Sequence, residues 1–304
     1  MLVSAAMKFP RLRTILLAPV VIFALFYTTV AVMFAFDENS SAPPAESINR
    51  HPTIAIFGAT GTAGDGILKA ALASPDIEKI HVITRRVSPR IEAGVAAGKV
   101  QMTLHMDYLN YGAIHEVIAE VDTVYWAIGT STVGVDEETY GKIHVDFPLQ
   151  FVTEWVDVTN QGDKSFHYIS SSDISEDSSM MWAREKVRAE KTLFNFAEGT
   201  QLRVIAYRPD YIGPTKEEAH LGQNLLYWFF APVRSAVRAT QIGQAMMEVT
   251  ARFTEFESGA KLSTSRIIRY SDAYELRQKG GRLLSLRRSK PLEEIADRDL
   301  GQIK

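Results

Sequence analysis

The stretch "TIAIFGATGTAG" at residues 53–64 constrains the fold more than any other part of the chain. A short apolar run suited to a buried strand ends in glycines at 58, 61 and 64, and a helical segment, "AGDGILKAALAS", grows out of them. Strand, glycine turn and helix in that order open a βαβ unit whose turn lets backbone approach a pyrophosphate at the helix N-terminus. A side chain at Gly58 or Gly61 would collide with that pyrophosphate, and Gly64 lets the helix pack on the strand. Thr60, Thr62 and Ala63 share the turn and count among the expected cofactor-binding residues. A tight turn with no ligand is the competing reading.

The same alternation continues. "KIHVITRR", "KVQMTLHMDY", "DTVYWAIG", "SFHYISS" and "LRVIAYRP" read as strands separated by helical segments. In "VDFPLQFVTEWV", Val145, Leu149, Val152 and Val156 fall on one helical face. The pattern predicts an α/β fold, a doubly wound (Rossmann-type) parallel sheet. The second strand ends in Arg85 and Arg86, where an acidic residue would serve NAD. Two cations there suit a 2′-phosphate, so NADP (NADPH) is the expected cofactor, with a plain surface pair as the other possibility. Asp107, after the third strand, is placed to accept a hydrogen bond from the adenine amine. Ala127 and Gly129, after the fourth, leave room for the cofactor's ribose.

Residues 14–36 form a run of 23 residues without a charge. At about 1.5 Å per residue the run matches a bilayer core of about 30 Å. Cleaved signal peptides carry apolar stretches of only about 7–15 residues, which favours a retained transmembrane helix as the partner of the lipid bilayer. Lys8, Arg11 and Arg13 precede the run, while Asp37 and Glu38 follow it. That bias keeps the N-terminus cytosolic and sends the domain to the far side. The endoplasmic reticulum is the expected membrane, and the mitochondrial outer membrane, with reversed exposure, is the alternative. Asn39-Ser40-Ser41 is a glycosylation sequon close to the span. The expected division is a basic segment 1–13, an anchor 14–36, a proline-containing linker 37–52, an NADP-binding domain 53–274 and a basic tail 275–304. Six basic and no acidic residues lie within 277–290, read as a solvated end or an electrostatic hold on anionic lipid. A net charge of −3 gives no reason to expect nucleic acid. The chain has no cysteine, which excludes disulfides, thiolate metal sites and a cysteine nucleophile, and its seven histidines lack metal-ligand spacing.

"GATGTAG", "VITRR", "FHYISS", "WAREK" and "YRPDYIGP" occur in the order and spacing of a known family. From about residue 53 to 274 the chain resembles the atypical short-chain dehydrogenases/reductases of the NmrA-like group, with most likeness to the Tat-interacting oxidoreductase branch and its fungal mitochondrial relatives. "GQAMMEVTARF" and "IIRYSDAYE" are similar to that branch's last elements. The resemblance implies a serine that fixes the substrate oxygen, a tyrosine that moves a proton, and a lysine that lowers the tyrosine's pKa and holds the nicotinamide ribose. Ser171 matches the serine and Lys186 the lysine, and Pro209 of "YRPDYIGP" joins the expected cofactor site. Residue 182, four before the lysine and on the same helical face, is Trp182 instead of tyrosine.

An indole N–H donates a hydrogen bond but does not titrate near neutral pH. Losing a general acid costs about 10²–10⁴-fold in rate. Three readings stay open. Tyr211 or Asp173 could supply the proton, the reaction could need no protein acid, or the domain could bind NADP without turnover. "GQNLLYWFFAPVRSAV" (222–237) reads as a small C-terminal substrate lobe or as ordinary core beneath it. The function expected is that of a membrane-anchored NADP-dependent oxidoreductase acting on an apolar small molecule. A non-catalytic NADP-binding sensor or scaffold of the NmrA-like type is the alternative.

Overall fold

The protein is described by a computed structural model over residues 12–37, 42–43, 45–49, 51–158 and 163–288. Lys8, Arg11, Glu38, the sequon at Asn39 and the tail beyond 288 lie outside the described residues. The chain opens with helix α1 (Leu12–Ala35), then alternates through β1 (Thr53–Phe57), α2 (Thr62–Ala73), β2 (Lys79–Thr84), α3 (Pro89–Ala96), β3 (Val100–Leu104), α4 (His115–Ala119) and β4 (Thr123–Trp126). The second half carries α5 (Glu137–Gly141), α6 (Phe147–Val158), β5 (Lys164–Ile169), α7 (Met181–Ala197) and β6 (Leu202–Arg208). It ends with β7 (Tyr211–Gly213), α8 (Leu221–Phe230), β8 (Ala236–Arg238), α9 (Ala239–Ala251), β9 (Ala260–Ser263) and α10 (Thr264–Arg288). Seven strands form one sheet in the order β3-β2-β1-β4-β5-β6-β9, every pairing parallel. This is the doubly wound sheet that the alternating pattern predicts.

Side chains on a strand point alternately to opposite faces, so a sheet covered on both sides needs uninterrupted apolar strands. β1 shows the consequence. Ile54 and Ile56 pack with Ile67 and Leu68 of α2 and Ile242 of α9, whereas Ala55 and Phe57 pack with Phe151 and Trp155 of α6 and Leu193 of α7. Each such side chain contributes about 1.5–3 kcal/mol when fully buried. Val145, Leu149, Val152 and Val156 do pack on this second cluster, the stripe the sequence predicts. β7 and β8 form a separate parallel pair with α8 between them, which makes the small C-terminal lobe. α8 has no buried residue, so it is not core beneath that lobe.

Two expected boundaries look different in three dimensions. α10 runs unbroken across position 275, and Arg277 is part of the fold. The Glu248 carboxylate, fully buried, takes Arg252 Nε and Arg277 Nε, each at 2.8 Å, and Arg277 also reaches Asp76 at 2.7 Å. The segment expected to be a linker is likewise tied down. Arg252 donates to the Pro43 carbonyl at 2.7 Å, Ser47 pairs with Thr254 at 3.1 Å, and the Asn49 amide donates to Ala251 O at 2.7 Å. Proline content and charge mark both segments as solvated locally, but long-range ion pairs outweigh that signal. Glu248→Leu removes the nearest counter-charge of buried Arg252 and leaves half-buried Arg277 with Asp76 alone. It should lower unfolding free energy by about 3 kcal/mol, the low end for breaking a buried pair, in a denaturant titration. A loss below about 1 kcal/mol, the range of exposed pairs, would show that solvent screens the network.

Candidate functional site

The strand order reverses between β1 and β4, and ligands of such sheets bind in the crevice at the C-terminal ends of those strands. Gly58 leaves β1 with φ +76°, and a Cβ there would stand 2.5 Å from the Ala127 carbonyl carbon. Only glycine satisfies both conditions. The turn closes with the Gly61 amide donating to Gly58 O at 3.0 Å, and α2 starts at Thr62. Its N-cap is Gly61, and no side chain caps the helix. The first amides of α2, around Thr62 and Ala63, therefore present free donors and a positive helix end to an anion. Gly64 sits against the Gly58 carbonyl, so the third glycine serves packing, as expected.

A cavity of about 410 Å³ opens beside this turn, lined by Gly58, Thr60, Gly61, Arg85, Arg86, Ala127 and Gly129, with Ile128, Thr84, Met106 and Tyr108. Arg86 Nε donates to Thr60 Oγ1 at 3.1 Å, and the Arg85 guanidinium lies 5.8 Å from the centre of the Tyr108 ring. Neither arginine pairs with a carboxylate among the described residues. Asp107 is placed differently from the expectation. Its Oδ1 accepts from the Leu109 amide at 3.0 Å, and Met106 and Tyr108 line the cavity in its place. A larger hollow of about 660 Å³ near Thr200, Arg203 and Glu257 lies at the opposite ends of the strands. It contains none of the expected residues.

Around Lys186 the structure gathers a buried polar cluster that the sequence reading missed. Lys186 Nζ donates to Ile169 O at 2.8 Å and to the Tyr168 hydroxyl at 3.3 Å, and sits 4.8 Å from the Tyr168 ring centre. The Tyr168 hydroxyl donates to His144 O at 3.1 Å. His144 lies in a short π-helical turn (Lys142–Asp146), a geometry frequent at functional sites. Its Nε2 accepts from the Thr130 amide at 3.3 Å. Burial, then the charge of Lys186, pushes the His144 pKa down to about 2, so the ring is neutral. Burial lowers Lys186 to about 7, only partly offset by Glu190, which is engaged by Arg208. Tyr140, whose ring centre is 4.1 Å from that of His144, is raised to about 12 by burial. A phenol inside the apolar strand "FHYISS" is the one sequence signal that points to this cluster.

The remaining expected residues lie on α7 and at or just past the ends of β5 and β6. Trp182 is half-buried, belongs to neither apolar cluster and makes no hydrogen bond among the described residues. Ser171 is half-buried just past β5, and its neighbour Ser170 is buried with no partner for its Oγ. Pro209 O accepts the Ser172 amide at 3.2 Å, which ties the ends of β5 and β6 together. The Tyr211 hydroxyl donates to Gln223 O of α8 at 3.5 Å. Asp173 is exposed with φ +52°.

No protein-family model matches the chain. Protein fmp52-1, mitochondrial, of Aspergillus terreus is 28% identical over 170 residues, covering 55% of this chain and 69% of that protein. A short-chain dehydrogenase/reductase from Serratia marcescens superposes with a TM-score of 0.55 at 15% identity, over 70% of this chain and 96% of its own. BdcA, solved in complex with NADPH, gives 0.51 at 13% identity over 70% and 93%. The fold is that of the short-chain dehydrogenases/reductases, with an apolar helix long enough to cross a membrane added at the N-terminal end.

Lys186 binds its proton less tightly in the fold than in the unfolded chain. Its burial therefore costs stability at and below about pH 7, and the cost fades as pH rises toward the ordinary lysine range. Lys186→Met should raise the melting temperature near about pH 6, and the gain should shrink by about pH 10. A difference between variant and parent that is the same at about pH 6 and about pH 10 would show that the amine's proton affinity is not lowered by burial.

Proposed function

We propose that the chain is a membrane-anchored, NADP-dependent oxidoreductase of the atypical short-chain type, acting on an apolar small molecule. One observation carries the reading: an uncapped helix N-terminus and two arginines without acidic partners meet in one cavity at the strand reversal. The residues fit NADP. The open backbone at Gly58 and Gly61 and the amides around Thr62 and Ala63 take the pyrophosphate, Arg85 and Arg86 take the 2′-phosphate, and Ala127 and Gly129 leave space for a ribose. When bound, the cofactor supplies or accepts a hydride. Lys186 holds the nicotinamide ribose, and Ser171, with the unpartnered Ser170 hydroxyl behind it, orients the substrate oxygen.

Proton supply is where this chain parts from its relatives. Trp182 walls the pocket and offers one free indole N–H to a substrate oxygen, but it cannot titrate. Tyr168 and Tyr140 are too basic, and the Tyr211 hydroxyl is engaged by α8. Lys186 Nζ, with a pKa near 7 and set by the end of β5, holds a proton that it can release at neutral pH. The non-catalytic reading keeps one observation in its favour, the indole in place of the phenol. The similarity to a protein named as mitochondrial supports a mitochondrial location over the endoplasmic reticulum, and an anchor in the outer membrane would let the domain meet cytosolic NADPH.

Trp182 variants test the reading. Because Trp182 stands outside both cores, Trp182→Ala should cost well under the about 3–5 kcal/mol of a buried aromatic. It should leave NADPH affinity unchanged while altering turnover of apolar carbonyl compounds. Trp182→Tyr should raise carbonyl reduction by up to about 10²-fold. NADPH oxidation and melting temperature are read on parent and variants together. A large stability loss with unchanged specific activity would place the site elsewhere.

A further inference from the structure

α8 is an apolar helix with its outer side uncovered. No Asp, Glu, Lys or Arg occurs between Glu218 and Arg234. Its polar and small-contact side faces the domain: Asn224 accepts from Arg238 at 2.8 Å, Gln223 O accepts from Tyr211, and Tyr227 stacks under the Arg238 guanidinium at 3.7 Å. Leu221, Leu225 and Trp228, spaced as one helical stripe, face outward with exposures of 74%, 56% and 59%. A contiguous apolar patch of this kind on a folded domain marks a contact with something apolar.

The position of α8 beside α1 identifies that contact. The Tyr27 hydroxyl of α1 donates to Phe229 O at 2.6 Å, and the Phe229 ring stacks at 5.3 Å on Tyr27 and 6.3 Å on Phe23. Tyr27 lies eight residues before the end of α1 at Ala35, about 12 Å along its axis at about 1.5 Å per residue. At that end, Arg234 pairs with Asp37 at 3.0 Å and donates to Phe34 O at 3.0 Å, with its guanidinium over the Phe34 ring. The first charges after α8 therefore stand level with the first charge after the span, and the apolar residues hang below them.

We propose that α8 is a second membrane-embedded element: it lies against α1 within the bilayer and seats the lobe that carries Tyr211 on the lipid surface. Interfacial helices bury their apolar face about 5–10 Å into the headgroup and acyl boundary, close to the depth at which Phe229 meets α1. The inference rests on reading α1 as a membrane span. An apolar substrate dissolved in lipid then reaches the pocket side of the domain past α8, without crossing water.

The absence of cysteine makes the test clean, since one introduced thiol is unique. The full chain, reconstituted in phosphatidylcholine vesicles, carries an environment-sensitive fluorophore at Leu225→Cys, Trp228→Cys or, as a control at the far ends of the strands, Glu198→Cys. Labels at 225 and 228 should shift to the blue and be quenched by acyl-chain spin-labelled lipid, and the label at 198 should respond only to aqueous iodide. Iodide access at 225 and 228 equal to that at 198 would overturn the inference, as would a blue shift without lipid quenching, which means a second chain covers α8. Alkaline carbonate extraction separates the two claims. Release from the vesicles overturns the span and this inference together, whereas retention with water-exposed labels overturns this inference alone.

Discussion

Gly58 passes so close to the backbone of Ala127 that a single added carbon would displace one of two adjacent strands' ends. The contact does more than close a turn. It fixes β1 and β4 at the point where the strand order reverses, and it aims the start of α2 into the crevice between them. The cavity, the free helix amides and the placement of Arg85 and Arg86 at the end of β2 all follow from that approach. The positive φ at Gly58 is the local conformation that permits it. A side chain at this position would both press on the Ala127 backbone and strain the turn that leads into α2.

A second constraint runs against stability. Lys186 is held in a buried pocket by the Ile169 carbonyl and the Tyr168 hydroxyl, with no carboxylate of its own. Burying a cation without a direct counter-charge is costly, and the shift of its pKa to about 7 records that cost. The neutral His144 and the high-pKa Tyr140 nearby add no negative charge to relieve it. Groups shifted in this way cluster at functional sites, where burial and nearby charges are arranged to tune them. Trp182, one turn earlier on the same helix, is half-buried and part of neither core.

Local patterning made much of this readable in advance. The glycine turn, the alternation of strands and helices and the charge-free α1 are each encoded within about a dozen or two neighbouring residues, and the structure shows the corresponding fold. Features outside that patterning, most of them dependent on distant partners, were not readable. The local turn at Asp107, whose Oδ1 accepts from the Leu109 amide, is one such feature. The break expected at 274/275 vanishes because Arg277 pairs with Glu248 and Asp76, one on another helix and one in a loop 201 residues away. Tyr168 and His144 join Lys186 only through the fold, and nothing in the spacing of residues 144, 168 and 186 announces it. The apolar run at 222–237 reads locally as core, yet α8 has no buried residue and meets α1 through Phe229.

The central claim is that the cavity at the β1–β4 reversal binds NADP through Arg85 and Arg86. Titrating the purified full chain with NADPH and with NADH, before and after replacing both arginines by alanine, tests it most directly. Charge-assisted hydrogen bonds are worth about 1.5–3 kcal/mol each, so the parent should prefer NADPH by about ten-fold or more, and the double variant should bind both cofactors alike and weakly. Equal affinity of the parent for NADPH and NADH, or a preference that survives the double substitution, would contradict the account.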